Sequence, residues 1–143
     1  MIVLDASAVV EIVHRTPDGQ AIREFLEKGE KKISCSLLSA ELASVFRKLC
    51  RTEGISAQIA EQYLIESMGL VDEFYPIEDL QPEVLRESIR LDHSVYDMFY
   101  FVLARRTGAT LITLDRKLMR LCHDHGVDSI AEIGFPSGIP AWE

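Results

Sequence analysis

Short apolar runs alternate with amphipathic stretches along this chain, and the alternation predicts its secondary structure. Ile2-Val3-Leu4 is a continuous apolar run, typical of a strand buried on both faces of a parallel sheet. A stretch with helical spacing of apolar residues follows to about His14. Further strands are predicted at residues 33–35, 74–77, 109–114 and 128–133, and further helices at 21–27, 39–52, 56–69, 82–91, 98–104 and 116–125.

This order of elements predicts the fold class and the bounds of the domain. Strands that alternate with helices form a parallel sheet covered on both faces, so we expect an α/β fold. The expected form is a three-layer α/β/α domain with a parallel sheet of about five strands. The pattern places the domain at residues 1–133 and leaves residues 134–143, which contain two of the five prolines, as an irregular C-terminal tail. In such sheets, ligands bind at the carboxyl ends of the strands.

Composition and charge narrow the possibilities. The chain has 143 residues, 48% of them hydrophobic and 27% charged, which fits one globular domain. Its three cysteines form no C-x-x-C pair, which argues against a disulfide framework or a zinc finger. We expect a cytoplasmic protein with no signal peptide and no membrane segment, because no apolar run approaches the ~20 residues that span a bilayer. The net charge of −8 disfavours broad, charge-driven binding to nucleic acid but leaves room for a local basic patch.

Four carboxylates occupy positions of particular interest. Asp5 and Asp115 each follow an apolar strand directly, which places both at the carboxyl edge of the sheet. Glu41 lies three residues after Leu38, on or beside the apolar stripe of its helix, where an unpaired carboxylate is costly. Asp97 begins a helix that is apolar nearly all round and is therefore buried. A structural explanation is also open for Asp97, as a first-turn helix charge, and for Asp115, as a helix cap.

Carboxylates that converge repel one another, and a divalent cation relieves that repulsion. Mg²⁺ and Mn²⁺ prefer oxygen ligands, and Mg²⁺ usually keeps several of its waters. A metal-bound water is more acidic than bulk water, and a pair of ions stabilises both the attacking and the leaving oxygen in phosphodiester hydrolysis. The four acids together therefore indicate a site for one or two Mg²⁺ or Mn²⁺ ions.

Four segments of the chain resemble the PIN-domain family, especially the VapC-type toxins of toxin–antitoxin pairs. The segments IVLDASAVV, LLSAELASVF, SVYDMFYFVLA and TLITLDRKL are similar, in this order, to those that carry the acids of the family. The resemblance extends from Met1 to about Ile133. It implies that the catalytic and metal-holding residues are Asp5, Glu41, Asp97 and Asp115.

The resemblance also implies supporting residues, a substrate and partners. Ser7 and Thr113 would be hydroxyls that hold the metal ligands in place. The implied activity is endoribonucleolytic cleavage of RNA, and the implied partners are a protein antitoxin and a second copy of the chain in a homodimer. Arg116 and Lys117, which begin beside Asp115, are candidates for contacts to RNA phosphates; the alternative is a solvated helix face.

Other interpretations match the sequence less well. A HAD-type phosphatase needs D-x-D, where this chain has Ser7, and a receiver domain needs an acidic pair and a lysine that are not evident. Neither G-x-x-x-x-G-K-[ST] nor G-x-G-x-x-G is present. His123 and His125 are two residues apart, so they face apart on a helix rather than forming a zinc site. The main alternative is a catalytically inactive PIN-fold module that binds RNA or protein. The helix at 56–69 is either ordinary core or a partner surface.

Overall fold

The computed structural model describes residues 1–130, and in it strands and helices alternate along the chain as the pattern predicts. The strands are β1 (Ile2–Leu4), β2 (Lys32–Cys35), β3 (Glu73–Tyr75) and β4 (Thr110–Ile112). The helices are α1 (Ala6–Val13), α2 (Pro17–Leu26), α3 (Leu37–Thr52), α4 (Ala57–Gly69), α5 (Ile77–Leu91), α6 (Val95–Thr107) and α7 (Arg116–Asp124).

The strands form one parallel sheet in the order β3-β2-β1-β4. The chain moves outward from β1 to β2 and β3, and then crosses back to place β4 on the other side of β1. The strand order therefore reverses between β1 and β4, and the crevice at such a reversal is the usual ligand site of parallel α/β sheets. Asp5 follows β1 and Thr113 follows β4, so both residues lie at this reversal.

Side chains of the strands alternate between the two faces of the sheet and build a core on each. Val3, Ile33 and Leu111 belong to the core formed with α5, α6 and α7. Ile2 and Leu4 belong to the core formed with α1 to α4. The predicted three-layer α/β/α arrangement is therefore confirmed. The central strand β1 reads as a continuous apolar run because both of its faces are buried.

Helix α6 is buried along most of its length and is tied to α5 at its basic end. All side chains from Met98 to Ala104 are buried. Arg105 pairs with Glu83 at 2.6 Å and with Glu87 at 2.7 Å, and Arg106 pairs with Glu83 at 2.6 Å. These ion pairs fix α6 against α5 at the end opposite to Asp97, so both arginines have a structural role.

Four helices begin earlier than the sequence predicts: α2 at Pro17, α3 at Leu37, α5 at Ile77 and α6 at Val95. Helix α3 starts at Leu37 rather than after a cap at Ser39, so Glu41 lies in its second turn. Helix α5 starts at Ile77 and contains Pro82 instead of beginning there. A proline within a helix removes one backbone hydrogen bond, and the packing of α5 against α6 outweighs that loss.

Helix α4 contributes to the core on the α1–α4 side of the sheet. Tyr63, Leu64 and Met68 pack against that core, so the core interpretation is confirmed for this face of α4. Ile59 and Ile65 are exposed on the same helix. Ser56 caps the helix, accepting a hydrogen bond from the Ile59 N–H at 3.1 Å.

The sheet has four strands among residues 1–130, rather than about five. The predicted strand at 128–133 is reduced there to one parallel bridge between Leu111 and Ser129. Two backbone hydrogen bonds flank this bridge: the Leu111 N–H donates to the Asp128 carbonyl at 2.8 Å, and the Ile130 N–H donates to the Leu111 carbonyl at 3.3 Å. Residues 131–133 and the predicted tail at 134–143 lie outside the described residues, so the domain limit stays a prediction. Within residues 1–130, no helix has both the length and the apolar character needed to cross a bilayer.

Candidate active site

Asp5 follows β1 directly and caps helix α1. Its Oδ1 accepts hydrogen bonds from the Ser7 hydroxyl at 2.7 Å and from the Ala8 backbone N–H at 3.0 Å. Its Oδ2 accepts a hydrogen bond from the hydroxyl of Thr113. A carboxylate offers about four acceptor positions, so these contacts leave about one, on Oδ2.

Ser7 and Thr113 hold Asp5 at the junction of β1 and β4. Ser7 Oγ accepts the Leu114 N–H at 2.9 Å, and Thr113 Oγ1 accepts the Asp115 N–H at 3.1 Å. Each hydroxyl thus receives a backbone hydrogen and donates its own hydrogen to Asp5. This is the geometry expected of hydroxyls that orient a metal ligand.

The charge of Asp5 is poorly compensated within the protein. Burial raises the pKa of Asp5 to about 7, and the negative charge of Asp97 acts in the same direction. The hydrogen bonds from Thr113, Ala8 and Ser7 lower the pKa without offsetting burial. In the described part of the chain, Asp5 forms no ion pair. An ionised Asp5 therefore lacks a cationic partner from the chain itself.

Glu41 is held by a residue on the opposite side of the site. Its Oε1 accepts a hydrogen bond from the hydroxyl of Tyr100 on α6, and Tyr100 is buried, with 2% of its surface exposed. Burial raises the pKa of Glu41, and so does the charge of Asp97, whereas the bond from Tyr100 lowers it. The cost of burying the Glu41 carboxylate beside the apolar stripe of α3 is therefore only partly compensated.

Asp97 lies in the first turn of α6 and is paired with a histidine. His93 Nε2 is 2.9 Å from Asp97 Oδ2. Burial raises the pKa of Asp97, and the charge of Asp115 acts in the same direction, while His93 and Lys117 lower it. The first-turn position expected for Asp97 is confirmed, but the helix end alone does not account for its partners.

Asp97 also links the four acids electrostatically. Its charge raises the pKa of Asp5 and of Glu41, and the charge of Asp115 raises the pKa of Asp97. Charges influence each other in this way when they are close or weakly screened by solvent. The acids that follow β1 and β4 and those on α3 and α6 therefore share one region of negative potential.

Asp115 caps helix α7. Its Oδ1 accepts the Leu118 N–H at 3.0 Å, which confirms the structural interpretation made from the sequence. The other oxygen, Oδ2, takes no part in that bond. Capping therefore leaves one oxygen of Asp115 for a ligand.

One cavity of about 720 Å³ collects these residues. All four predicted acids line it, and so do Ser7, His93, Tyr96 and Tyr100. Lys117 is the only lysine or arginine of residues 1–130 in the lining, and Arg116 is not part of it. The two basic residues predicted as RNA contacts are thus separated by the structure. Lys117 lies at the cavity, and Arg116 lies on the exposed face of α7.

The donor chemistry of this cavity fits a hard divalent cation. Carboxylate oxygens are the ligands that Mg²⁺ and Mn²⁺ prefer, and a cation neutralises their mutual repulsion. In the conformation observed, no three Asp, Glu, His or Cys side chains of residues 1–130 come close enough to enclose an ion. Hydrogen bonds explain why the acids lie apart. Glu41 is turned toward Tyr100, Asp97 toward His93 and Asp115 toward α7. These side chains would have to rotate before their oxygens could hold one ion together.

Three lining residues were not assigned a role from the sequence. Tyr100 lies three residues after Asp97 on α6, a spacing at which residues meet on one helix face, and that spacing was the available signal for it. His93 lies in the turn between α5 and α6, so helical spacing gives no signal for it. Tyr96 adjoins Asp97 in sequence, but nothing in the sequence marks it as exposed.

A family model and several known proteins match this chain. The PIN domain model matches residues 2–124. Ribonuclease VapC12 of Mycobacterium tuberculosis is 30% identical over 133 residues, which cover 93% of this chain and 98% of that protein. Ribonuclease VapC9 of the same organism is 31% identical over 118 residues, covering 82% and 88% of the two chains.

A solved structure also resembles this chain. The crystal structure of PAE2754 from Pyrobaculum aerophilum matches with a TM-score of 0.64. The match covers 83% of this chain and 82% of that chain, at 22% sequence identity. At this identity the similarity supports the fold alone.

Proposed function

The chain belongs to the PIN domain family, in its VapC-type branch, and from that premise we propose that it is a Mg²⁺- or Mn²⁺-dependent endoribonuclease. The observation that carries the proposal is the presence of Asp5, Glu41, Asp97 and Asp115 around one cavity. Lys117 is the only lysine or arginine in the described lining. Such a site repels a polyanionic substrate unless it also holds cations.

The four acids would hold one or two ions, directly or through water. When bound, the ion makes water more acidic and neutralises the charge that develops on the phosphate. Asp5 is the most firmly oriented of the acids, since Ser7, Ala8 and Thr113 all donate hydrogen bonds to it. The remaining acceptor position on Asp5 Oδ2 would be available to hold the ion.

Asp97 is the residue we assign to the attacking water. Its Oδ2 is paired with His93, which leaves Oδ1 to accept a hydrogen bond from water. Burial raises the pKa of Asp97, and a carboxylate with a raised pKa accepts a proton more readily at neutral pH. The attacking water gives a proton to Asp97 as its oxygen bonds to phosphorus, the bond from phosphorus to a ribose oxygen breaks, and that oxygen takes up a proton. One phosphodiester becomes a phosphomonoester and an alcohol.

The VapC-type relationship extends the proposal to partners. We propose that the chain is the toxin of a toxin–antitoxin pair, that a protein antitoxin occupies the cavity, and that the chain acts in the cytoplasm as a homodimer. A short open reading frame beside the gene whose product blocks cleavage would support the pair. Light scattering on the purified protein tests the dimer, with an expected mass of twice 16.1 kDa. The mass of a single chain would contradict it.

Cleavage of a mixed RNA pool by purified protein tests the enzymatic function. The reactions contain Mg²⁺, Mn²⁺ or EDTA, and they compare the wild type with Asp97→Asn. Asp124→Asn is the matched control, because Asp124 is an exposed acid outside the cavity lining. We expect cleavage that needs metal, is lost in Asp97→Asn and is retained in Asp124→Asn.

The other outcomes have distinct meanings. Activity that persists in EDTA or in Asp97→Asn would contradict the carboxylate mechanism. A folded wild type that cleaves no RNA with either metal would favour the inactive binding module instead.

A further inference from the structure

Tyr96 is an aromatic side chain that stays exposed at the cavity. It is 61% exposed, and it lies beside Asp97 in the first turn of α6. Tyr96 lines the cavity, and within residues 1–130 its side chain makes no hydrogen bond and no ring contact. The other large apolar residues exposed in this range are not aromatic and do not line the cavity: Met1, Ile59, Ile65, Leu85, Ile89 and Val95.

The charge of the cavity limits how it can bind RNA. Asp92 adds a fifth acid to the four of the proposed metal site, and Lys117 is the single lysine or arginine in the described lining. Ions can offset part of this charge, but few cationic side chains are available to grip the phosphates of the strand. Binding energy that does not depend on charge is therefore needed, and base stacking on an aromatic ring supplies it.

Part of the cavity wall suits a nucleobase. Leu37, Ala40 and Val45 of α3 line the cavity together with Tyr96. Apolar side chains can cover the second face of a flat base without leaving a polar group unpaired. The cavity thus combines an exposed ring, an apolar wall and the acids of the proposed chemistry.

We propose that Tyr96 stacks on an unpaired nucleobase of the RNA, at a nucleotide within two positions of the scissile phosphate. The inference rests on the proposed ribonuclease function and adds a residue that binds substrate. Because Tyr96 and Asp97 line the same cavity, a base held on the Tyr96 ring lies in the cavity in which Asp97 acts on the phosphate. Every base has a π face, so this contact favours an unpaired strand over a particular sequence.

Steady-state cleavage of a short single-stranded RNA tests the contact. We expect Tyr96→Ala to raise KM by about fivefold or more, and Tyr96→Phe to restore most of the lost affinity, since the phenyl ring also stacks. Ile89→Ala is the control, because Ile89 is 74% exposed and lies outside the cavity lining. Thermal melts check that all variants fold. Because Tyr96 is exposed, its replacement should leave the melting temperature close to that of the wild type.

Substrates with one abasic nucleotide separate stacking from a general effect on the protein. Each position within two nucleotides of the cut is replaced in turn. At one position, the abasic substrate should lose affinity for the wild type but not for Tyr96→Ala. The loss of affinity caused by the abasic nucleotide and the loss caused by Tyr96→Ala should then be non-additive, as expected for groups that contact each other.

The outcomes keep this inference apart from the proposed function. A wild type that cleaves RNA, with KM unchanged in Tyr96→Ala or with additive abasic losses at every position, overturns the stacking contact alone. A wild type without metal-dependent cleavage overturns the proposed function, and the stacking inference falls with it.

Discussion

The imidazole Nε2 of His93 lies 2.9 Å from Oδ2 of Asp97, and the histidine that makes this contact is itself fixed. Ser88 Oγ donates a hydrogen bond to the His93 carbonyl at 2.5 Å, and the His93 N–H donates to the Ser88 carbonyl at 3.2 Å. Asp92, with φ of 50°, turns the chain between α5 and α6. His93 therefore orients Asp97 from the end of α5, as a supporting partner orients a metal-binding carboxylate.

Removal of His93 should weaken catalysis without unfolding the protein. We expect His93→Ala to lower kcat by about 10- to 100-fold, the usual cost of losing a partner of a metal ligand. His93→Gln should restore part of the loss, because its amide can donate to Asp97 Oδ2. His123→Ala, on the exposed face of α7, is the control. A kcat for His93→Ala within twofold of the wild type would show that Asp97 needs no such partner.

The metal-free protein should lose stability as the pH rises from about 4 to about 7. The pKa of Asp5 is raised from 3.8 to about 7 in the folded state, mainly by burial, so the folded state binds this proton more strongly than the unfolded state. The free energy of unfolding then falls with pH between these two values, by at most about 4 kcal/mol. Glu41 and Asp97, whose pKa values are also raised, act in the same direction.

Urea denaturation in EDTA across this pH range measures the effect. Asp5→Asn should flatten the dependence, whereas Asp124→Asn should keep the slope of the wild type. Mn²⁺ should stabilise the wild type most at the upper end of the range, where the acids are ionised. Equal slopes of stability against pH for Asp5→Asn and the wild type would mean that Asp5 does not cause the loss of stability.

Loss of the Thr113 hydroxyl should destabilise the site locally. Thr113→Val preserves the shape of the side chain but leaves Asp5 Oδ2 and the Asp115 N–H without their partner. We expect a loss of about 1–3 kcal/mol in the free energy of unfolding at pH 8. Thr113→Ser should keep most of the wild-type stability, because serine retains the hydroxyl. Thr110→Val, in the strand β4 that Thr113 follows, is the control. A change below about 0.5 kcal/mol in Thr113→Val would contradict the role of this hydroxyl.

The close approach of α1 and α2 should make Gly19 intolerant of any side chain. A Cβ atom on Gly19 would lie 1.8 Å from the carbonyl oxygen of Glu11. We expect Gly19→Ala to lower the free energy of unfolding by about 2 kcal/mol or more. Gly69→Ala on α4 meets no atom within 4 Å, so it should be neutral or stabilise the helix by up to about 1 kcal/mol. Similar denaturation midpoints for the two variants would contradict this packing.

The sequence predicted those parts of the site that depend on local pattern. Asp5 and Asp115 follow apolar strands, and the topology of parallel sheets brings such strand ends to one edge. Glu41 stood out because a carboxylate beside an apolar stripe is costly. Family resemblance then supplied the hydroxyls of Ser7 and Thr113, whose contacts with Asp5 join two strands far apart in the sequence.

The contacts that arise from packing between elements could not be predicted in the same way. The bond from Tyr100 to Glu41 depends on how α6 lies against α3, and α6 reads in sequence as uniform core. His93 reaches Asp97 because the chain turns sharply at Asp92, a conformation that the sequence does not specify. The last predicted strand, at 128–133, is described only as far as residue 130. There it forms one parallel bridge, between Ser129 and Leu111, with backbone hydrogen bonds to Leu111 on either side of it.

The proposed metal site is tested most directly by crystals of the protein soaked in Mn²⁺ and measured at a wavelength where manganese scatters anomalously. We predict an anomalous peak inside the cavity, about 2 Å from an oxygen of at least one of the four acids and joined to the others directly or through water. The peak should be lost in Asp5→Asn and kept in Asp124→Asn. A wild type that cleaves RNA with Mn²⁺ but shows no peak in this cavity would contradict the four-carboxylate site.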